Sequence, residues 1–458
     1  MKVLLAGYNL DSEIIEELAK KSADKSAITP ETISAAYARI SRSPKPVNEL
    51  RKIARQEVEK SRRSNKNIIF NMGHHSVAEH AVFNFDIMGV SRLVMEEIEK
   101  FRLCSFTEKS QRYITLEGDH VIPAEIEDSP FKQIYVNLIK KQNELYRALY
   151  QKLKEHIFQK NPELAGDPKK HDLLDGWAKE DARYITCLAT EGQVGQTINA
   201  RNLELLFRRF ASHELSEVRE LGQMMFKLVE KVAPSIILFT EANDFDKKTY
   251  PALRKLTEDM LKGAKKNSGV GKGSKEEAKL INYTFDADNV TVATLMNSSS
   301  KLSFDECLKF TRKMNAEEKR ELIKTSARHM ELYDTALREY EYVNLTFELS
   351  ISASCFAQLK RHRMASIICQ EYDPDLGVTI PPSIGEIGMA DDFKRVISET
   401  EEVYGKINKK LPLVAKYILT NAHRKRVLLR VSARELYHIS RLREDTSAQW
   451  DIRQVTHK

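Results

Sequence analysis

Four short blocks recur along this chain of 458 residues in the same order, and that shared order restricts the possible folds more than any single motif does. The segment from Glu79 to Ile87 is answered by the segment from Glu341 to Leu349. Both alternate apolar and polar residues, as a half-buried strand does. Downstream of each lies an arginine-containing stretch, Lys100-Phe101-Arg102-Leu103-Cys104-Ser105 in the first half and Arg361-His362-Arg363-Met364-Ala365-Ser366 in the second. Asn199-Ala200-Arg201 then answers Ser432-Ala433-Arg434, and Glu217-Val218-Arg219 answers Asp451-Ile452-Arg453. One such match would be unremarkable, but four in a common order point to tandem duplication. The expected fold class is α+β: two tandem copies of a unit built from helices and a small antiparallel sheet, at residues 1–245 and 281–458, with a linker at 246–280.

The linker assignment rests on the Gly, Ser and Lys content between Lys262 and Lys275, which suits a solvated connection. A phosphate-binding loop needs Ser or Thr after its lysine, whereas Lys272 is followed by Gly273. Elsewhere, Ile134 to His156 has the apolar periodicity of a long amphipathic helix. Ser303 with Glu306, and Asn315 with Glu318, have capping-box spacing. The opening residues Met1 to Gly7 resemble a short strand rather than a secretory segment.

The chain is too long for one ordinary core, and 41% hydrophobic with 30% charged residues fits a folded globular protein. No run approaches the roughly 18–20 apolar residues of a membrane helix, so the expected location is cytoplasmic. The five cysteines form no Cys-x-x-Cys pair and are expected to be reduced, mostly buried thiols. A net charge of +7 suits an anionic ligand without choosing between nucleotide and nucleic acid. Dispersed basic residues and the lack of a stacking module argue against nucleic acid.

The two arginine stretches have decayed at opposite ends. The second keeps Arg361-His362-Arg363, whose guanidinium groups suit phosphates and flat ring systems. On a strand both arginines would share a face while His362 points away; on a helix the three would spread around the axis. The first keeps Glu108, Ser110 and Arg112 at alternate positions, and an extended segment would aim all three the same way. The second half has Cys369, Glu371 and Asp373 there. His74-His75-Ser76-Val77-Ala78-Glu79-His80 lacks the His-Glu-x-x-His order of a zinc site, and no metal is expected.

These motifs resemble those of the flavin-dependent thymidylate synthases, which carry Arg-His-Arg-x-x-Ser-x-Asn-Glu-x-Ser-x-Arg. The likeness extends to the upstream histidine block, to Asn199-Ala200-Arg201, and to the closing Ala448-Gln449-Trp450-Asp451-Ile452-Arg453. It implies FAD as cofactor, with NADPH and methylenetetrahydrofolate as co-substrates for methylation of dUMP to dTMP. It also implies a homodimer standing in for the family's homotetramer, with no membrane partner. By the resemblance, His74, Asn199, Arg201, Arg361, His362, Arg363 and Arg434 are flavin-side residues. Glu108, Ser110, Gln111, Arg112, Arg183, Gln358 and Arg443 are nucleotide-side residues, and Arg443 is the group assigned to catalysis beside the pyrimidine.

The departures imply composite sites, with nucleotide-type residues from the first half and flavin-type residues from the second. Lys100 and Phe101 replace Arg-His in the first half, Glu97 stands for Gln358, and Lys416 stands for Arg183. Asp373 puts a negative charge where a phosphate would lie; a unit-charge contact near 5 Å at an effective dielectric of 20 is about 3 kcal/mol, so reversing its sign is severe. The alternatives are an inactive or repurposed binding or regulatory protein, and an enzyme acting on another pyrimidine nucleotide.

Overall fold

The alternation read from sequence becomes two four-stranded antiparallel sheets in a computed structural model, which describes all residues except 21–27, 41, 42, 44, 72, 265–275 and 332. The chain divides into two compact units. Unit one is Met1–Asn143, Cys187–Gly273 and Glu402–Ile418; unit two is Glu144–Thr186, Ser274–Glu401 and Leu419–Lys458. Each unit therefore includes a segment from the other half of the sequence. No helix among the described residues is long and apolar enough to cross a membrane.

In unit one the strands are β1 (Lys2–Tyr8), β2 (Val82–Ser91), β3 (Cys104–Glu108) and β4 (Glu191–Asn199), in the order β1-β2-β4-β3. Phe83, Phe85 and Ile87 of β2 are buried while Asn84 and Asp86 between them are exposed, so one sheet face carries the core. The β2–β4 register breaks between Met88 and Val90. Gly89 sits in that break at φ +67°, a left-handed conformation that glycine adopts without steric cost.

Unit two repeats the arrangement with β5 (Ala278–Tyr283), β6 (Asn344–Ser352), β7 (Ser366–Tyr372) and β8 (Arg424–Ser432), in the order β5-β6-β8-β7. Its core gathers Leu349 and Ile351 of β6, Val427, Leu429 and Val431 of β8, and Ile452 of the last helix. The pairings coincide position by position. Val82 faces Asn199 as Asn344 faces Ser432; Ser91 faces Glu191 as Ser352 faces Arg424; Ser105 faces Thr197 as Ser366 faces Arg430. These registers equate residues of the two copies without appeal to sequence similarity.

The long helix runs from Lys132 to Lys160, and both capping boxes form, at Ser303–Glu306 and Asn315–Glu318. Four of the five cysteines are buried and all are free thiols. The linker is shorter than expected. A helix spans Asp244–Ala264 and β5 starts at Ala278, so both ends of the 246–280 stretch carry regular structure. Its Gly- and Lys-rich middle, 265–275, lies outside the described residues.

Candidate active site

In unit two, Arg361-His362-Arg363 forms a turn rather than the strand or helix considered from sequence. The helix Ala353–Leu359 ends there, His362 N donates to the Leu359 carbonyl (3.0 Å), and Ala365 N donates to the His362 carbonyl (3.2 Å) before β7 begins. The turn still separates the three side chains as strand alternation would have done: Arg361 and Arg363 are exposed and His362 is buried. His362 Nε2 accepts from Arg443 Nε at 2.9 Å, and its Nδ1 lies 3.6 Å from Glu435 Oε1. Burial holds this imidazole below its ordinary pKa; Glu435 pulls it up, and Arg443 and His438 pull it down.

Arg443 is the outer end of a buried polar chain. Its Nη2 donates to the Gln358 carbonyl (3.2 Å), and its Nη1 lies 3.5 Å from Gln358 Oε1. Gln358 Nε2 donates to Gln449 Oε1 (2.8 Å), and Gln449 Nε2 donates to the Tyr184 hydroxyl (2.6 Å). That hydroxyl donates to Asp451 Oδ2 (2.8 Å), which also accepts from Ser352 Oγ (2.6 Å). Ser352 Oγ in turn caps the helix that carries Gln358, accepting from Cys355 N. Arg183, Gln358 and Arg443, three of the expected nucleotide-side residues, thus belong to one unit although they come from both halves of the sequence.

Beside Tyr184, the Asp181 carboxylate accepts from Trp450 Nε1 (2.7 Å) and Ser383 Oγ (2.6 Å), and Trp450 stacks on Tyr184. Burial pushes Asp181 up to about 6, against the lowering effect of these two donors. A carboxyl raised in the fold contributes stability at pH values below its unfolded pKa of 3.8, and that contribution is lost as pH rises through about 6. Asp181→Asn is therefore expected to raise Tm at pH 7.5 but not at pH 4. Trp450 emission should titrate with a midpoint near 6 in the parent and stay flat in the variant; flat emission in both would refute the assignment.

Unit one carries Glu108, Ser110, Gln111 and Arg112, but they do not share one direction as an extended segment would require. β3 ends at Glu108, and a turn follows in which Ser110 Oγ accepts from Arg112 N (3.2 Å). Glu108 turns inward, 3.8 Å from the buried Arg92, which also lies 3.7 Å from Glu96. Gln111 is likewise buried, whereas Arg112 lies along Tyr113 and donates to its hydroxyl at 3.1 Å. Glu108, Gln111 and Arg92 line a small recess with Met95, Thr190 and Gly192. Arg92, which belongs to the Gly89-Val90-Ser91-Arg92 block that shares the family resemblance, has no site role by sequence alone, although its place directly after β2 is a usable signal.

Several expected flavin-side residues carry structural duties. Asn199 caps the helix Ala200–Ala211 through its side chain, accepting from Asn202 N (3.0 Å). Ser432 caps its counterpart by accepting from Glu435 N, so the Asn-to-Ser difference preserves the cap. Arg201 pairs with Glu79, and Arg434 with the matching Glu341 (2.7 Å) as well as the Ala336 carbonyl. His74 is exposed and precedes the 3-10 turn His75–His80. Asp373, read as a charge reversal, caps the turn Pro374–Leu376 by accepting from Asp375 N (2.9 Å).

Equivalent positions of the two units carry different side chains at both ends of the motif. His362 and Arg443 of unit two correspond by register and helix cap to Phe101 and Phe210 of unit one, which pack edge to face at 6.0 Å. Glu97, in the place of Gln358, pairs instead with Lys100 and His213. Burial alone would raise its pKa, but the hydrogen bond with His213 and the charge of Lys100 bring it to about 2. Conversely, Gly192 of unit one corresponds to Lys425 of unit two, through the pairs Val90–Gly192 and Ile351–Lys425. A Cβ at Gly192 would come within 2.3 Å of Met95 Cε, so this spot tolerates no side chain without movement. Lys425 is buried, with Nζ 3.6 Å from the Phe356 ring centre and 4.3 Å from that of Tyr372.

The comparisons with known proteins match both halves of the chain. The family model described as thymidylate synthase complementing protein matches residues 25–235 and 279–458. This chain belongs to that family. A flavin-dependent thymidylate synthase of Clostridium tetani is 31% identical over 216 residues, covering 46% of this chain and 82% of the relative. A UPF0159 protein of Thermoplasma acidophilum is 22% identical over 469 residues, covering 92% of this chain and 90% of the relative. Among solved structures, the flavin-dependent thymidylate synthase of Helicobacter pylori complexed with FAD and dUMP is 19% identical with a TM-score of 0.32, over 52% of this chain and 100% of that one. A UMP/dUMP methylase from Streptomyces cacaoi bound with 5-Br dUMP is 18% identical with a TM-score of 0.35, over 51% of this chain and 92% of that one.

Proposed function

We propose that this protein methylates dUMP to dTMP in the cytoplasm, using FAD, NADPH and methylenetetrahydrofolate, as a homodimer of tandemly duplicated chains. The observation that carries this reading is the complementary filling. Unit one keeps the Glu108–Arg112 groups and closes the Arg443-type corner with Phe101 and Phe210, while unit two keeps Arg443 and fills the Gly192-type spot with Lys425. Loss of function in both copies would not require opposite ends to survive.

The residues fit FAD in part. Arg361 and Arg363, exposed on one turn, suit a diphosphate, whereas Asn199, Arg201 and Arg434 are committed to helix caps and ion pairs. When bound, the flavin supplies the redox chemistry of methyl formation. The protein's own part is binding and polarisation: Ser110 and Arg112 receive the nucleotide phosphate, Glu108 and Gln111 support its ribose or base, and Arg183, Gln358 and Arg443 hold the pyrimidine. A guanidinium at the pyrimidine carbonyl stabilises charge that develops during attack at C6. This scheme requires no protein nucleophile.

Purified protein mixed with FAD should show a flavin absorption spectrum that remains after desalting. It should also release tritium from 5-tritiated dUMP when the co-substrates are added. No flavin retained at micromolar concentration would reject this function. Flavin retention with turnover of a different pyrimidine nucleotide would move the substrate assignment only. Arg363→Ala is expected to weaken flavin binding at least about tenfold, the scale of one lost charge-assisted hydrogen bond, and an unchanged titration would remove Arg363 from the site.

A further inference from the structure

We infer that Tyr184 is a positioning residue for Arg443: a tyrosine from the N-terminal half fixes, through two glutamines, the direction in which the guanidinium of the C-terminal half is held. The inference rests on the reading of Arg443 as a nucleotide-facing group, and the geometry behind it lies within unit two.

The inner end sets the polarity of the chain. Asp451 Oδ2 takes hydrogen bonds from Ser352 Oγ and from the Tyr184 hydroxyl, so the single Tyr184 proton is committed to it. The hydroxyl oxygen is left to accept, and it does so from Gln449 Nε2. Gln449 must then present Oε1 to Gln358 Nε2, which leaves Gln358 Oε1 and its backbone carbonyl facing Arg443. Flipping either amide would set N–H against N–H in a site with almost no water access: Gln449 and Tyr184 are fully buried, and Gln358 is 7% exposed. Arg443 is thereby oriented with Nε toward His362 Nε2, which must be unprotonated, placing the imidazole proton on Nδ1 beside Glu435.

Unit one contains the same clamp without the chain. Tyr417 donates to Glu217 Oε2 (2.8 Å), and Ser91 Oγ donates to the same oxygen (2.9 Å), matching Tyr184, Asp451 and Ser352. The positions of Gln449 and Arg443 are there Leu215 and Phe210, both buried. If the tyrosine–carboxylate pair served packing alone, the two copies would be interchangeable. The glutamines accompany it only where Arg443 is kept.

The test compares Tyr184→Phe with Tyr417→Phe in the full-length protein carrying 15N-labelled histidine, and follows two readouts. The first is the His362 titration, assigned with His362→Asn, which reports whether Arg443 stays beside it; the other groups facing His362 are Glu435 and His438. The second is dUMP affinity by calorimetry. Tyr184→Phe should raise the His362 midpoint and weaken dUMP about tenfold, the usual scale for one buried hydrogen bond, while Tyr417→Phe changes neither. Gln449→Leu, which copies the unit-one residue, should act like Tyr184→Phe and serves if that variant folds poorly. Equal effects from Tyr184→Phe and Tyr417→Phe, or an unmoved His362 midpoint in both Tyr184→Phe and Gln449→Leu, would overturn the inference. If the parent protein binds no dUMP, the nucleotide reading fails instead, and the His362 titration still decides the role of Tyr184.

Discussion

Arg443→Ala is expected to lower kcat/KM for dUMP by about a thousandfold or more, the largest single-residue loss in this protein. Two effects act together. The guanidinium is the group assigned to polarise the pyrimidine, and removing one such preorganised donor costs about 10²–10³ in rate. It is also the donor to His362 Nε2 and the Gln358 carbonyl, both buried, and an orphaned buried acceptor costs about 1–3 kcal/mol. Arg443→Lys should recover little, because an ammonium cannot span His362 and Gln358 as a planar fork does. The check is steady-state kinetics beside thermal unfolding. A variant that keeps kcat/KM within tenfold of the parent would remove Arg443 from the chemistry, and a lowered Tm alone would leave it a structural role.

The fold class was legible because period-two alternation and capping boxes are local signals, and because four repeated blocks fixed the order of elements. The sheet registers equate Val82 with Asn344 and Ser105 with Ser366, as the strand blocks and the arginine stretches were aligned. The site was legible by residue type but not by direction. Period two failed at Glu108 because β3 stops there: Glu108 turns inward to Arg92, and Ser110 Oγ accepts from Arg112 N in the turn that follows. Asn199 and Arg434 carry the right chemistry for a ligand, but local geometry gives them a helix cap and an ion pair. Tyr184 and Lys425 could not be chosen from sequence at all. Tyr184 matters because Gln449 and Asp451 lie far along the chain, and Lys425 matters because its register partner in the other copy is a glycine.

dUMP is expected to saturate at one molecule per chain, not two, and Arg112→Ala is expected to abolish binding rather than halve it. A second, independent site would have to use the unit-two counterparts of Glu108, Ser110 and Arg112, which are Cys369, Glu371 and Asp373. Neither the carboxylates nor the thiol can donate to phosphate as a hydroxyl and a guanidinium do. Lys425 does not restore the missing cation: its ammonium is buried between the Phe356 and Tyr372 rings, and drawing it outward would sacrifice a contact of about 2 kcal/mol and open a cavity in the sheet. Arg112 is instead at the surface of its turn, and loss of a bidentate charge-assisted phosphate contact of about 1.5–3 kcal/mol per hydrogen bond raises Kd by two orders of magnitude or more. Calorimetric stoichiometry decides it. Two molecules per parent chain, or one per chain retained at parental affinity in Arg112→Ala, would mean that unit two binds nucleotide by itself and that the complementary filling has another origin.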